Sequence, residues 1–508
     1  MWLGENMNVD YIIVQAGGKG TRMEKLTANK PKALVPINNL PMLFHLFQKY
    51  PEKKYIIIGD YKYDVLEKYL RTFAKVQYYL VDAEGKKGTC AGVQQALKIV
   101  PENKSFMLIW SDLVLPKEFA FPEKSDNYIG ISTDFRCRWS YKNGVFEEVP
   151  SEEYGVAGLF ILENKMFLSS VPEEGEFVKW MQGQNKHFSS LKLCRTKEYG
   201  LIAEYNKLKK EKCRPFNRLI IDGDRITKEG IDEQGKKLAI RERAWYQLAK
   251  ARGFLQIPEI YSYDPLVMER VHGKNIYEDT YSHAEKEMIL KKIVDALKKL
   301  HDLDQEEVNY FSCDNAYFRK TYDRLNQVRD LIPFANQKYI TVNGKKCPNV
   351  YYFWDEFEAL CRECVPEKFV FLHGDCTFSN TMVNENGDIV FIDPRGYFGY
   401  TEMNGDAAYD WAKLYYSLKG NYDQFNLKRF ILKIENGEVD IQIESNGWED
   451  MENFFFELLP KECTPRKIKI IHALIWLSLT TYAWEDYDSI CGAFYQGIYH
   501  LEEVLQLH

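Results

Sequence analysis

Several features are scarce in this chain of 508 residues, and each shortage narrows its role. No apolar run approaches the roughly 20 residues that a membrane-spanning helix needs. The longest, residues 472–484, is short and interrupted by Ser and Thr, and it reads as a buried helix. Positive charge is not in excess. The net charge of −7 excludes the broad basic footprint of a nucleic-acid binder but leaves room for a local phosphate site. The eleven cysteines follow no framework spacing. Cys361-Arg-Glu-Cys364 is a single close pair without the second pair that a zinc site needs, so reduced thiols are expected. The opening residues Met1-Trp-Leu-Gly-Glu-Asn-Met7 have neither a basic start nor an apolar core, and no signal peptide is expected there. A cytoplasmic location, with no membrane insertion and no nucleic-acid partner, follows as an expectation. Repeats and low-complexity tracts are missing too. The length exceeds one ordinary core, so two or three domains are expected.

What is present begins with Ile12-Ile-Val-Gln-Ala-Gly-Gly-Lys-Gly-Thr-Arg-Met23, followed by Lys30-Pro-Lys-Ala-Leu-Val-Pro-Ile37. An apolar run ends in Gly17, Gly18, Gly20 and Thr21. Without a Cβ in the way, such a turn can press its N–H groups against an anion. If Met23 opens a helix, the turn also sits at a helix N-terminus, where phosphate is favoured. Arg22 can grip phosphate oxygens through a planar fork, and Lys32 adds a second positive charge. An ordinary strand–turn–helix would have the glycines without the Thr-Arg and the distant Lys-Pro-Lys.

This block resembles the sugar-nucleotidyltransferase (pyrophosphorylase) family, over about the first 205 residues. The resemblance implies a Rossmann-like α/β domain that binds a nucleoside triphosphate and Mg²⁺, with Arg22 and Lys32 acting on the triphosphate. Gln15 departs from the family pattern, where an aliphatic residue borders the base pocket. The base therefore stays open, with CTP or UTP expected.

Residues 7–115 alternate strand-like segments (11–14, 55–58, 76–81 and 106–110) with helix-like ones (65–73 and 90–100). That alternation predicts a mostly parallel, helix-covered sheet with ligand groups at the strand C-terminal ends. Asp112 follows one such strand, where a carboxylate can hold Mg²⁺ or merely close a solvated turn. By the family resemblance it is a Mg²⁺ ligand. The segment Gly88-Thr-Cys-Ala-Gly92 resembles the family's base-contacting turn, which places Gly88 and Thr89 at the nucleotide; by itself it could be a helix cap. Glu198-Tyr-Gly200, followed by Tyr205, resembles the family's second metal carboxylate, with glutamate in place of aspartate and Leu201 in place of threonine. In Glu153-Tyr-Gly-Val-Ala-Gly-Leu-Phe-Ile-Leu162 a buried strand is expected, whose glycines would suit either a passing substrate or a bulge. The basic run Lys207-Leu-Lys-Lys-Glu-Lys212 marks a domain boundary near residue 212, giving domains 1–212 and 213–508.

A second strand system opens with Arg218-Leu-Ile-Ile221, the turn Asp222-Gly-Asp224 and Arg225-Ile-Thr-Lys228. A helix is expected from Arg241, a third strand over Leu266-Val-Met-Glu-Arg-Val-His-Gly273, and a mainly helical remainder broken by one strand-rich block at 369–392. Within that block lie His373-Gly-Asp-Cys-Thr-Phe-Ser-Asn380 and Ile392-Asp-Pro-Arg-Gly396. Phosphoryl transfer to a hydroxyl needs an aspartate to orient and accept the proton, and oxygen ligands for Mg²⁺. Asp375, Asn380 and Asp393 supply such groups within one hairpin, although Asp and Asn also simply close turns.

Residues 213–508 resemble the aminoglycoside phosphotransferase and choline kinase superfamily, a bilobal protein-kinase-like α+β fold. The resemblance implies Asp375 as catalytic base, Asn380 and Asp393 as Mg²⁺ ligands, and Lys228 on the ATP phosphates. Glu242 would hold Lys228, and Met268 and Glu269 would lie at the adenine hinge. Pro394-Arg395 departs from the usual residues after the aspartate and leaves the acceptor open. Asp406 and Asp410 read as caps or braces. Together the halves suggest an ATP-dependent kinase for a small hydroxyl compound joined to a nucleotidyltransferase that uses its product, for surface polysaccharide. A sugar is the favoured acceptor and a choline-like amino alcohol giving a CDP-linked product the runner-up, which would need an aromatic cage. In a third reading, one half is a non-catalytic nucleotide-binding module.

Overall fold

The computed structural model describes residues 8–184, 186–208 and 217–505. The boundary expected near residue 212 and the opening segment to Met7 lie outside the described residues. The chain divides into two units, Met1–Lys209 with Glu485–Asp488, and Lys210–Trp484 with Ser489–His508.

In the first unit, four parallel strands carry the sheet: β1 (Val9–Gln15), β2 (Lys54–Gly59), β3 (Gln77–Asp82) and β4 (Ser105–Trp110). Their order is β3-β2-β1-β4. Ile12, Ile13 and Val14, like Ile56, Ile57 and Ile58, are consecutive and all buried, as a sheet covered on both faces requires. Helices α1 (Met42–Lys49), α2 (Tyr63–Phe73) and α3 (Val93–Ile99) make the crossovers. The direction then reverses. Strand β5 (Tyr128–Ser132) and the fully buried β6 (Gly155–Leu162) pair antiparallel, β6 also pairs antiparallel with β4, and β7 (Ser189–Lys192) lies parallel to β5. The sheet is mixed and mostly parallel along its central strands. From β1 the chain turns first toward β2 and later returns on the other side as β4, so the switch point of the topology, where ligands of such sheets bind, is at the C-terminal tips of β1 and β4.

One expectation changes here, and one open choice closes. Past the glycine turn, residues Thr21–Thr27 form 3₁₀ turns interrupted at Glu24 (φ 51°), so no α-helix N-terminus lies behind the turn. In β6 the register shifts between Val156 and Phe160, and a side chain at Gly158 would collide with the Trp110 indole. Its glycines serve a bulge and close packing.

The second unit has a strand lobe and a helical lobe. Strands β8 (Asn217–Asp222), β9 (Arg225–Gly230), β10 (Ile260–Tyr263) and β11 (Leu266–Glu269) form an antiparallel sheet in the order β8-β9-β11-β10. Helix α4 (Glu233–Ala251) starts ahead of Arg241, because the Asp232 carboxylate accepts the Gly235 N–H at 2.7 Å and caps it there. Helix α5 (His283–His301) opens on a capping box from Ser282 and Glu285. Then come α6 (Lys320–Val328), α7 (Trp354–Glu363), the hairpin of β12 (Thr381–Asn384) and β13 (Ile389–Phe391), α8 (Ala407–Leu418) and α9 (Pro465–Leu479). Helix α8 is the core of this lobe, with Trp411 fully buried.

The helical remainder holds more strand than expected. Tyr339–Val342, Lys345–Pro348, Phe430–Glu435 and Glu438–Ile443 build a further four-stranded sheet. Its hairpins turn at Asn343-Gly344 and Asn436-Gly437, all four residues at positive φ, which is the strongest short hairpin signal a sequence carries. Residues 472–484 are not one helix, since α9 ends at Leu479, and no described helix is long and apolar enough to cross a membrane. Cys361 and Cys364, at the end of α7, are buried free thiols.

Candidate active sites

The first site forms where β1 and β4 end side by side, with Gln15 opposite Trp110. Gly20 adopts a left-handed conformation (φ 65°) that favours glycine, and the stem of Lys32 packs where its side chain would be. Lys32 reaches across to Asp112, Nζ to Oδ2 at 2.5 Å. Glu198 arrives from far along the chain by backbone pairing. Lys197 and Glu198 run antiparallel to Leu113 and Val114, and the Tyr199 N–H donates to the Asp112 carbonyl at 3.0 Å. Gly200 leaves the space that both carboxylates share: a Cβ there would collide with Glu198 Oε1 and lie 3.1 Å from Asp112 Oδ2. Tyr199 and Tyr205 wall this corner with Met23, Val35, Ile37 and Met42.

Electrostatics distinguish the two acids. Burial alone would raise Asp112, but the charge and hydrogen bond of Lys32, with Arg22 beyond, hold it below the ordinary carboxylate value. Burial and the neighbouring Asp112 charge push Glu198 up to about 7. Arg22 is exposed and acts on both acids through its charge. Among the described residues no group of three or more His, Cys, Asp and Glu gathers. The pair itself suits Mg²⁺, which commonly takes one or two protein carboxylates and completes its shell with phosphate and water. Lys32 pairs with Asp112, whereas among the described residues no Lys, Arg or His lies within ion-pair distance of Glu198, so Glu198 is the acid left for an added cation.

The turn at residues 88–92 is pinned on both sides. Thr89 Oγ1 accepts the Phe177 N–H at 2.8 Å, and Cys90 N–H donates to the Gly175 carbonyl at 2.9 Å. Gln15 explains its own presence: its amide Nε2 donates to the carbonyls of Thr89 (2.6 Å) and Ala91 (3.1 Å). The residue that departs from the family pattern thus holds the turn next to the expected base site.

In the second site, Lys228 on β9 is tied to Glu242 on α4 at 2.8 Å and also pairs with Asp393. Burial and Lys228 act in opposite directions on Glu242, and burial prevails, pushing it up to about 7. Asp393 lies two residues past β13 with φ 56°. Asp375 and Asn380 meet directly, since the Asn380 amide donates to the Asp375 carbonyl at 2.8 Å and to its carboxylate at 3.1 Å. The Ile392 N–H donates to the Asn380 carbonyl at 3.0 Å, which brings Asn380 next to the residue before Asp393, and an amide oxygen with a carboxylate is a donor set of the kind Mg²⁺ takes. Met268 and Glu269 sit within β11, and the Glu269 N–H is engaged by the Glu259 carbonyl at 2.8 Å. A cleft of about 710 Å³ lies beyond Glu269, between Lys292, Asp295 and Asn384, and neither Lys228 nor Asp375 lines it.

The loop of Asp375 is held from α8. Asp410 accepts the N–H groups of His373 (2.9 Å) and Gly374 (2.7 Å), while Asp406 caps the helix through the Ala408 N–H. Buried His373 is held below its ordinary pKa by desolvation; it donates from Nε2 to the Ile392 carbonyl and accepts the Asp375 N–H at Nδ1. Lys413, one turn beyond Asp410, reaches Asp375 at 2.9 Å. Burial would raise the Asp375 carboxyl, but Lys413 holds it below the usual range. The sequence reading missed Lys413; its one signal was the turn spacing from Asp410.

Comparison with known proteins finds a family match within each unit. Residues 11–135 match the family described as Nucleotidyl transferase, and residues 231–431 match the Phosphotransferase enzyme family. A Bifunctional protein GlmU of Methanococcus maripaludis strain C7 is 27% identical over 172 residues, 30% of this chain and 40% of that protein. A D-glycero-alpha-D-manno-heptose 1-phosphate guanylyltransferase of Campylobacter jejuni is 32% identical over 101 residues, 19% of this chain and 45% of that protein. The chain thus spans less than half the length of either curated relative. Among solved structures, the inositol-1-phosphate CTP transferase from T. maritima aligns at 16% identity and a TM-score of 0.34, over 40% of this chain and 94% of that one.

Proposed function

Since the chain joins a nucleotidyl transferase domain over residues 11–135 to a phosphotransferase-family domain over 231–431, we propose that it performs two consecutive transfers. The second domain phosphorylates a hydroxyl of a small sugar with ATP, and the first joins that phosphate to a nucleotide from CTP or UTP with release of pyrophosphate. The product is an activated building block for a surface polysaccharide. The observation that carries this reading is that each domain has its own complete polar constellation, Lys32–Asp112–Glu198 in one and Lys228–Glu242 with Asp375, Asn380 and Asp393 in the other. This also speaks against a non-catalytic module. The name of the Campylobacter jejuni relative supports a sugar 1-phosphate as nucleotidyl acceptor.

In the phosphotransferase domain, Lys228 holds ATP phosphate oxygens while Glu242 keeps its ammonium in place. Asp375 orients the acceptor hydroxyl and takes its proton as that oxygen bonds to the γ-phosphorus and ADP leaves. Its lowered pKa makes it a better orienting group than a strong base. In the transferase domain, a phosphate oxygen of the acceptor attacks the α-phosphorus of the NTP, and Arg22, Lys32 and the N–H groups of the turn at Gly17, Gly18, Gly20 and Thr21 hold the departing pyrophosphate. Asp112 and Glu198 would hold Mg²⁺ in one site, Asn380 and Asp393 in the other. In both it supplies charge neutralisation on phosphate oxygens.

The test is a coupled assay on the full chain with ATP, each of the four NTPs and a panel of sugars. Pyrophosphate release is expected to need both ATP and a sugar when no phosphorylated sugar is supplied. ADP release that no sugar stimulates, or a phosphorylated product that yields no pyrophosphate, would overturn the reading.

A further inference from the structure

Near Asp375 in the phosphotransferase site lies a group of positive charges, of which only Lys413 has a carboxylate within ion-pair distance among the described residues. Lys320 and Arg324 lie four residues apart on α6, so they share one face, a spacing at which like charges weaken a helix. Immediately before them, Asp314–Arg319 widens into a π-helical turn, an irregularity that re-aims side chains and recurs at functional sites. Tyr317 in that turn lies against Tyr409, ring centroids 6.4 Å apart, and Tyr409 takes a hydrogen bond from Arg395, so Lys320, three residues beyond Tyr317, follows on toward Arg395. Desolvation, then the charges of Arg395, Arg324 and Lys413, drive the Lys320 ammonium well below the ordinary lysine value. All four side chains are half-buried.

Their partners are mostly neutral. Arg395 donates to the hydroxyls of Tyr409 (2.9 Å) and Tyr397 (2.7 Å) and stacks 4.3 Å from the Tyr397 ring centroid. Arg324 donates to the Ser478 carbonyl at 2.6 Å. Only Lys413 has an acid, Asp375 at 2.9 Å. Among the described residues, no carboxylate forms an ion pair with Lys320, Arg324 or Arg395. Gathering partly buried cations in this way is costly unless an anion completes the set. Arg395 still has N–H groups to spare, and a guanidinium fork matches phosphate and carboxylate geometry.

We propose that the phosphate acceptor carries an anionic group of its own, a phosphate or a carboxylate, which seats on Lys320, Arg324 and Arg395 and so brings the free hydroxyl to Asp375. This rests on the phosphotransfer reading above and narrows its substrate class. A cationic amino alcohol is disfavoured, because its ammonium would face the guanidinium groups of Arg324 and Arg395, neither of which has a carboxylate partner among the described residues. The reaction that supplies the acceptor is then a phosphorylation at another hydroxyl or an oxidation to an acid. Arg395 is also the residue at which the sequence departs from its family, as expected of a position that reads the acceptor.

The test uses the full chain with Mg²⁺ and a saturating non-hydrolysable ATP analogue, titrated with inorganic phosphate while thermal stability is followed; a ligand of the native state raises it. Saturable stabilisation by phosphate is expected, and it should persist in Arg22→Ala, where the transferase phosphate site is impaired. Lys320→Gln, which keeps the Arg324–Ser478 contact, should weaken the response on the order of tenfold, and the Lys320→Gln/Arg324→Gln pair on the order of a hundredfold. The affinity of the ATP analogue should not change. ADP release with hexose 6-phosphates and with hexuronates then separates phosphate from carboxylate, and both should exceed the neutral hexose. A phosphate response that ignores both variants, an equal loss of ATP-analogue affinity, or tighter binding of choline would overturn the inference while leaving phosphotransfer standing. Failure of the analogue to bind the wild-type chain would instead overturn the phosphotransfer reading, and the inference with it.

Discussion

Replacing Glu198 by glutamine removes a negative charge that the folded transferase domain holds at a cost. Its carboxyl rises from an ordinary 4.5 to about 7, first through burial and then through Asp112. A raised carboxylate binds its proton more tightly in the native state than in the unfolded one, so stability falls as pH climbs between those two values. The penalty is absent below about pH 4.5 and complete above about pH 7. At ~1.4 kcal/mol per unit the shift corresponds to ~3 kcal/mol, which partial solvent access reduces to ~1–3 kcal/mol. Without metal at pH 8.5, Glu198→Gln should therefore raise the melting temperature by several degrees, at about 2–4 °C per kcal/mol for a domain of this size. At pH 5 the gain should shrink toward zero. With Mg²⁺ and NTP the order reverses: the variant should need on the order of tenfold more Mg²⁺ for pyrophosphate release. Differential scanning fluorimetry in EDTA at the two pH values and a Mg²⁺ titration of pyrophosphate release give both readings. A variant less stable than wild type at pH 8.5, or one with unchanged Mg²⁺ dependence, would refute the assignment of Glu198 as a strained metal carboxylate.

Arg22→Ala should lower nucleotidyl transfer by about a hundredfold or more while ADP release stays near wild type; a drop under about tenfold would move the triphosphate site elsewhere. Asp375→Asn should cut ADP release by about 10²–10⁴ and leave nucleotidyl transfer to a supplied sugar phosphate intact. Loss of both activities in the folded variant would show that the domains are not catalytically independent. Gly200→Ala should displace Glu198, because the new methyl would lie 2.0 Å from its Oε1; pyrophosphate release at unchanged Mg²⁺ should fall while ADP release is kept.

Much of this was legible because the relevant signals are local. Continuous apolar runs such as Ile12–Val14 mark strands buried on both faces, and Asp112 follows its strand by two residues, so a place at the sheet's C-terminal edge could be read directly. The hairpin of Asn380 and Asp393 is likewise short in sequence. Contacts that depend on distant backbone were not legible. Glu198, which only the family resemblance placed with Asp112, reaches it through a two-residue strand paired with Leu113 and Val114, too short to carry a pattern of its own. Gln15 looked like a residue of the base pocket, whereas its amide is committed to two carbonyls more than seventy residues away. The 3₁₀ turns at Thr21–Thr27 escaped because Glu24 adopts a positive φ that its residue type does not announce.

The brace between α8 and the catalytic loop has a consequence in time as well as in space. Asp410, fully buried, receives two loop amides, and one turn away Lys413 fixes the carboxylate that those amides precede. Neither amide can meet solvent unless the centre of the helical lobe comes apart, so in deuterated water His373 and Gly374 should exchange at the pace of global opening. The loop that would handle the proton in the proposed transfer is therefore among the last parts of the domain to move, and Arg395, whose N–H donates to the His373 carbonyl at 2.8 Å and whose guanidinium donates to Tyr409 of α8, is held with it.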